Sequence, residues 1–223
     1  ITYNQVKENW EEVQTLLNEM NKKHSKEFYY MVRNIDREKI EDKRKYKKVF
    51  TIAEDLEPLE VAARFLYLNI TCFNAMFRVN RDGLMNIPVG RTLKKNFGEN
   101  GNLELCSEVL KSATVSSRDF TEVEALAKPG DLVYFDPPYD PISETSSFTT
   151  YTEGGFDFED QVRLRDLAQR LKDKGAHVYL SNSGTERIRE LYKDWTIKEF
   201  SLKRTLNSKS EKRKEAVEEL LIF

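Results

Sequence analysis

The sequence predicts an α/β protein in which a mainly helical module precedes an open sheet. Three observations predict it. Helix-spaced apolar residues dominate the first third, two short runs turn about Asp82-Gly83, and beyond residue 110 apolar strands alternate with amphipathic helices. Residues 1–110 are therefore assigned to the helical module and 111–223 to the sheet. A chain of 223 residues can hold one sizeable core, or one core plus a small inserted module.

The elements follow in order. Val6, Trp10, Val13, Leu16, Leu17 and Met20 recur at helical spacing over 3–23. A second short helix is expected over 26–33, and the charge-dense 34–57 reads as loop with broken helix. Residues 58–73 are apolar and helical, with Pro58 suited to a first turn. Residues 76–90 read as a hairpin whose outward positions carry Arg78, Asn80 and Asn86 or their alternates. A strand is expected over 113–120. Residues 131–139 read as an apolar strand buried on both faces. A helix over 158–175 stops at Gly175, a buried strand covers 176–183, and a helix covers 185–194. Two last strands, "WTIKEFSLKR" and "AVEELLIF", form an antiparallel pair.

Composition narrows the function. No apolar run approaches the roughly 18 residues that span a membrane. The start is amphipathic helix rather than a signal peptide, and it lacks a capping signal, so the chain reads as a fragment or as one with its start unseen. Cys72 and Cys106 form no C-x-x-C pair, which suggests neither a disulfide framework nor a zinc cage, and both read as small core residues. His24 is assigned to the surface and His177 to the core; no metal site is expected. The net charge of −2 does not announce a nucleic-acid partner, yet basic residues gather in 36–48, 90–95 and 198–214. Each cluster taken alone reads as a solvated face.

The strand over 131–139 ends on Asp136-Pro137-Pro138-Tyr139. In open α/β sheets ligands sit beyond such strand ends. An ionised Asp136 is acceptor-only, the two prolines make a stiff turn without N–H groups, and Tyr139 offers a flat face. Two acceptors beside an aromatic platform suit an exocyclic amine on a nucleobase, held by the Asp136 carboxylate and the Pro137 carbonyl. The plainer reading is a proline-rich turn with a helix-capping aspartate.

"DLVYFDPPYDPISETSSFTTYTEGGF" resembles the motif IV region of the Dam-type DNA adenine-N6 methyltransferases, and "FLYLNITCFNAMFRVNRDGLMNIPVGR" resembles their DNA-recognition segment. "AHVYLSNS" and "KRTLNSKSEKRKEAVEELL" are similar to the later strands and C-terminal loop of that family, and the order of segments is that of its alpha group. The resemblance implies a partial Rossmann-like sheet with an inserted recognition module, S-adenosylmethionine as methyl donor and duplex DNA, specifically GATC, as substrate. It implies that Asp136, Pro137, Pro138 and Tyr139 hold a flipped adenine, and that Asp119 and Phe120, with Asp136, meet the donor. It implies DNA contacts from Phe73 as a wedge, from Asn74 beside it, from Met76, Arg78 and Pro88 near base edges, and from Arg91 at a phosphate; Asn80 on the hairpin and the basic Lys94 and Lys95 are further DNA-binding candidates. These roles are chemically apt, because arginine is the usual reader of guanine and a base must leave the duplex before it is modified. Core packing for Phe73 and Met76, simple exposure for Arg78 and a helix C-cap for Asn74 stay open.

The sequence also departs from that family. None of its nine glycines stands in a G-x-G pattern, the pattern of the loop that cradles the methionine end of the donor. The 223-residue chain is therefore expected to lack most of the donor site and to be inactive by itself. Phe73 stands where a tyrosine is expected, and Ala75-Met76 where Gly-Leu is usual. Cytosine-N4 methylation and DNA binding without catalysis are the alternatives. A monomer in the cytoplasm of a prokaryote, or encoded by a phage, is the expected setting.

Overall fold

A computed structural model describes residues 1–38, 56–80, 82–91, 101–142, 155–203 and 216–223. Most of the 34–57 stretch, together with Lys94, Lys95 and 204–215, lies outside the described residues. The chain packs as two compact units, Ile1–Ser116 and Ser117–Phe223.

The first unit is helical. Helix α1 (Thr2–Lys22) is interrupted by non-helical backbone at Asn9 and buries Val6, Val13 and Leu17. Helix α2 (Lys26–Glu38) is longer than the 26–33 expected. Helix α3 (Pro58–Thr71) opens with Pro58 in its first turn and a reciprocal cap between Glu57 and Glu60, each side chain accepting a backbone N–H that the helix cannot use. These three helices enclose Val13, Leu17, Tyr29, Val32, Ala62, Tyr67, Leu68, Cys72 and Met85. Helix α4 (Asn102–Lys111) packs on α1, where the buried Ser107 hydroxyl donates to the Lys7 carbonyl at 2.8 Å.

Histidine and cysteine roles differ from those expected. His24 is turned inward: its Nδ1 lies 2.8 Å from the Tyr67 hydroxyl and its ring meets Tyr67 edge-on. His177 is exposed at the first position of its strand. Cys72 is buried, but Cys106 lies on an exposed face of α4.

The second unit carries a four-stranded sheet in the order β1-β2-β4-β3, built from β1 (Leu132–Phe135), β2 (His177–Ser183), β3 (Ile197–Lys203) and β4 (Ala216–Ile222). β1 and β2 are parallel; β4 runs antiparallel to both β2 and β3. A 3-10 turn (Phe120–Glu122) leads into a one-turn helix α5 (Val123–Leu126) ahead of β1. Helix α6 (Phe158–Asp173) links β1 to β2, capped by Asp157 and Asp160, and sends Leu164, Leu167, Ala168 and Leu171 into the core against Val178, Leu180 and Leu220. Each such buried leucine or valine contributes about 1.5–3 kcal/mol, the single methyl of Ala168 less. Helix α7 (Glu186–Leu191) starts from Thr185, whose hydroxyl accepts the Ile188 N–H.

Two strand expectations are corrected. Residues 113–119 form no strand: they are exposed, and polar Ser116, Ser117 and Arg118 leave them no apolar face to bury. β1 is shorter than 131–139 and is not buried on both faces. Val133 is 9% exposed, whereas Leu132 is 69% and Tyr134 is 55% exposed, because alternate side chains point to opposite faces and the face that Leu132 and Tyr134 share is not covered by the described residues.

Candidate active site and DNA-reading segment

The register of the parallel pair places the first site. Phe135 pairs with Leu180, so Asp136 and Ser181 leave the ladder side by side at the carboxyl ends of β1 and β2. The Ser181 hydroxyl donates to Asp136 Oδ1 at 2.8 Å. Asp136 is exposed and caps no helix; Pro137, Pro138 and Tyr139 are half-buried. Burial pushes the Tyr139 hydroxyl above its ordinary range, against the lowering effect of its bond with Ser181. Ser181 thus joins the acid and the aromatic ring. It was not picked out in the sequence, although three polar residues, Ser181, Asn182 and Ser183, ending an apolar strand were a legible signal.

Asp119 and Phe120 form a separate cluster in the same unit. Asp119 caps the 3-10 turn, accepting the Thr121 N–H at 3.0 Å and the Thr121 hydroxyl at 2.5 Å, with an Arg163 nitrogen at 3.5 Å. The Thr121 hydroxyl first, then its N–H, hold this exposed carboxyl below the usual range. The Phe120 ring lies 5.8 Å from that of Phe156, with the Arg163 guanidinium 5.1 Å from its centroid.

In the first unit, 72–91 folds back on itself. The Phe73 N–H donates to the Pro88 carbonyl at 2.9 Å, Gly90 N–H to Thr71 at 2.8 Å, and Asn80 N–H to Leu84 at 2.8 Å. The hairpin expected over 76–90 is looser than a ladder: single bridges join Cys72 to Val89 and Val79 to Met85. At the tip the Asn80 side chain accepts the N–H groups of Asp82 and Leu84, which directs Asn80 into the turn. A Cβ at Gly90 would sit 3.0 Å from the carbonyls of Thr71 and Cys72, a tight approach that a larger residue could make only if that backbone gave way by a few tenths of an ångström. Helix α2 fixes the far arm, since the Tyr29 hydroxyl donates to the Ile87 carbonyl at 2.9 Å and Arg33 reaches it at 3.3 Å.

The outward face of this segment carries the predicted residues. Phe73 is 36% and Met76 is 48% exposed, which removes the core-packing alternative for both. Arg78 is exposed, with its Nε 3.4 Å from Asn86 Oδ1, and Pro88 is exposed. Arg91 stands over the Phe73 ring at 5.6 Å. Phe77, unselected in the sequence, pairs with Phe65 at 5.0 Å and widens the aromatic face. Asn74 and Ala75 both have positive φ, 57° and 51°. Asparagine tolerates that region; alanine is strained there, and such strain gathers at functional segments.

Residues 1–206 match the family model described as D12 class N6 adenine-specific DNA methyltransferase. The chain belongs to that family. Among curated relatives, it is 40% identical over 213 residues to the type II methyltransferase M1.LlaDCHI of Lactococcus lactis subsp. cremoris, covering 95% of this chain and 71% of the relative. It is 37% identical over 217 residues to the type II methyltransferase M.MjaIII of Methanocaldococcus jannaschii, covering 96% and 71% respectively. It is 33% identical over 178 residues to the DNA adenine methylase of Escherichia coli strain K12, covering 80% and 63%. The D12 class is enzymatic and adenine-specific, which sets aside cytosine-N4 methylation. Membership implies S-adenosylmethionine as methyl donor and DNA as substrate. No described helix is long and apolar enough to cross a membrane.

Among the described residues of the second unit, the Phe120 ring offers a flat face and the exposed Asp136 carboxylate an acceptor, chemistry that an adenosyl group could use, and the sequence has no G-x-G pattern.

Proposed function

We propose that this chain supplies the adenine-gripping turn and the duplex-reading segment of an enzyme that methylates adenine N6 within GATC. One observation carries the reading: an exposed carboxylate at a strand's carboxyl end, held by Ser181 and followed by two prolines and a half-buried tyrosine. The Asp136 carboxylate and Pro137 carbonyl accept the two hydrogens of the adenine amine, turning its lone pair out of the ring plane. Pro138 stiffens the turn, and Tyr139 stacks on the base. The donor supplies an electrophilic methyl group when bound, and Asp119, Phe120 and Asp136 are the residues here that would meet it. Asp136 stabilises the positive charge that develops on N6 during attack.

In the reading segment Phe73 wedges into the duplex as the base leaves, with Asn74 beside it. Arg78, Met76 and Pro88 meet base edges, while Arg91, Lys94 and Lys95 neutralise phosphates, so binding weakens steeply with salt. Residues 1–110 act as the reading module and 111–223 as part of the catalytic domain of a monomer working in the cytoplasm of a prokaryote or a phage host.

The test is product analysis. The full gene product is incubated with labelled donor and duplexes that differ only at one GATC, and the digested nucleosides are separated. N6-methyl-2′-deoxyadenosine from the GATC duplex alone is expected; equal transfer to both duplexes, or label on cytosine, sinks the reading. The 223-residue chain by itself is expected to shift duplex DNA without transferring methyl groups.

A further inference from the structure

A run of amide groups holds the turn after β1, and its polarity is forced from end to end. Asn182 Oδ1 accepts two backbone N–H groups, from Asp140 at 3.1 Å and from Ser183 at 2.9 Å. That end of the side chain must be oxygen, so Nδ2 donates to Gln161 Oε1, at 3.0 Å. Gln161 then has only Nε2 left, and it donates to the Pro138 carbonyl at 2.9 Å. Gln161 is 2% and Asn182 is 1% exposed. Gln161 shares the inward face of α6 with Leu164 and Ala168. An apolar residue would suit that core, and a buried amide is tolerated only where its bonds are made. Its polarity serves the turn.

The same turn is pinned at both flanks. Adjacent strand residues point to opposite faces, so Ser181 and Asn182 grip it from two sides. Ser181 holds the Asp136 carboxylate. At the other flank the Ser183 hydroxyl donates to the Asp140 carbonyl at 2.6 Å. The buried Asp140 carboxylate accepts from the Thr185 hydroxyl at 2.7 Å and from Arg187. Between the flanks, Pro137 and Pro138 have no N–H with which to anchor themselves. The Pro138 carbonyl, tied to Gln161, is the interior tether.

We propose that Gln161 and Asn182 are positioning residues for methyl transfer: they fix the peptide plane after Pro138, so that the Pro137 carbonyl and the Asp136 carboxylate keep their aim at the adenine amine. The inference rests on the adenine-gripping reading above. It also says why the tether is an amide and not a carboxylate. An amide donates to Pro138 at every working pH, whereas a carboxylate would face that carbonyl with a lone pair.

The experiment compares Gln161→Glu with wild type in the full gene product, on GATC duplex at saturating donor. The introduced side chain still accepts from Asn182 but no longer donates to Pro138. At about pH 8.5, kcat should fall roughly 10–100-fold, the cost of a small misalignment, with KM for DNA unchanged. A buried carboxyl titrates well above its free value, so acidification toward about pH 6 should restore the donor and much of kcat relative to wild type. Charged or titratable groups on the surrounding elements are Asp136, Tyr139 and Asp140 of the turn, Asp157, Asp160 and Arg165 around α6, and Arg187 of α7. All are common to both proteins and cancel in the ratio.

A folded variant with wild-type kcat at high pH, or a loss that acid does not reverse, overturns the proposal. Should Gln161→Glu fail to fold, Gln161→Met takes its place. A folded Met variant must lose kcat at unchanged KM, at every pH; wild-type kcat overturns the proposal. Failure of wild type itself to methylate adenine is a distinct result, and it removes both the reading and the inference.

Discussion

In the second unit the turn 136–140 is tied by side chains: Ser181, Asn182 and Ser183 of one buried strand each hold a different point of it. In the first unit the segment 73–91 is framed mainly by backbone bonds to Thr71, Pro88 and Leu84, with Tyr29, Arg33 and Asn80 side chains tying only its far arm and tip, while Phe73, Met76 and Arg78 face outward. Under the proposed function the difference follows from two tasks. Chemistry at one nitrogen needs acceptors fixed within fractions of an ångström. Reading a duplex needs side chains that can settle against base edges once DNA arrives.

The sharpest way to break this comparison is Asp136→Ala. Turnover should fall at least about 10³-fold, since an acceptor and the stabilisation of developing charge are lost together. DNA affinity by gel shift should stay near wild type; retained turnover removes Asp136 from the mechanism. Arg78→Ala is the mirror case. Competition between duplexes should show about 1–3 kcal/mol less discrimination at one base pair, with kcat on the cognate duplex largely kept. A uniform weakening on all sequences would make Arg78 a phosphate contact. Tyr139→Ala should weaken capture of a flipped base by about 1–3 kcal/mol, seen as lower fluorescence of 2-aminopurine at the target position.

Smaller effects sharpen the contrast. Ala75→Gly should relieve the left-handed strain and stabilise the first unit by about 1 kcal/mol, read as a raised Tm. An unchanged or lowered Tm would mean that the position is not strained. For Asp119 the folded carboxyl is lowered, with the Thr121 hydroxyl as the largest cause. Its contribution is present above the ordinary aspartate value of about 3.9 and is lost as pH falls through the lowered one. Asp119→Asn should flatten the acid limb of the stability curve, and only slightly, since the group is exposed.

Much of this was legible in the sequence because periodicity reports burial. Leu164, Leu167 and Leu171 announced α6, and Val178 and Leu180 announced β2. Periodicity is silent about neighbours, and the misreadings share that cause. Leu132 and Tyr134 look like interior residues until the folded sheet leaves the face they share uncovered. Residues 113–119 look extended, but a strand exists only with a partner. His24 and His177 exchanged their expected places because Tyr67, 43 residues away in sequence, supplies the bond that draws His24 inward. At the site, Asp136 through Tyr139 stood out by chemistry, whereas Ser181 and Gln161 matter only through contacts made in the folded chain.

The backbone framing of 73–91 has a consequence for specificity change. Because Thr71, Pro88 and Gly90 hold that frame through main-chain atoms, the side chains at 73, 76 and 78 can be exchanged without unmaking it. A combinatorial library randomised at those three sites should keep its folding yield while its preferred sequences diverge. Retargeting such an enzyme is then a problem of sampling a few outward positions, decoupled from the machinery that moves the methyl group.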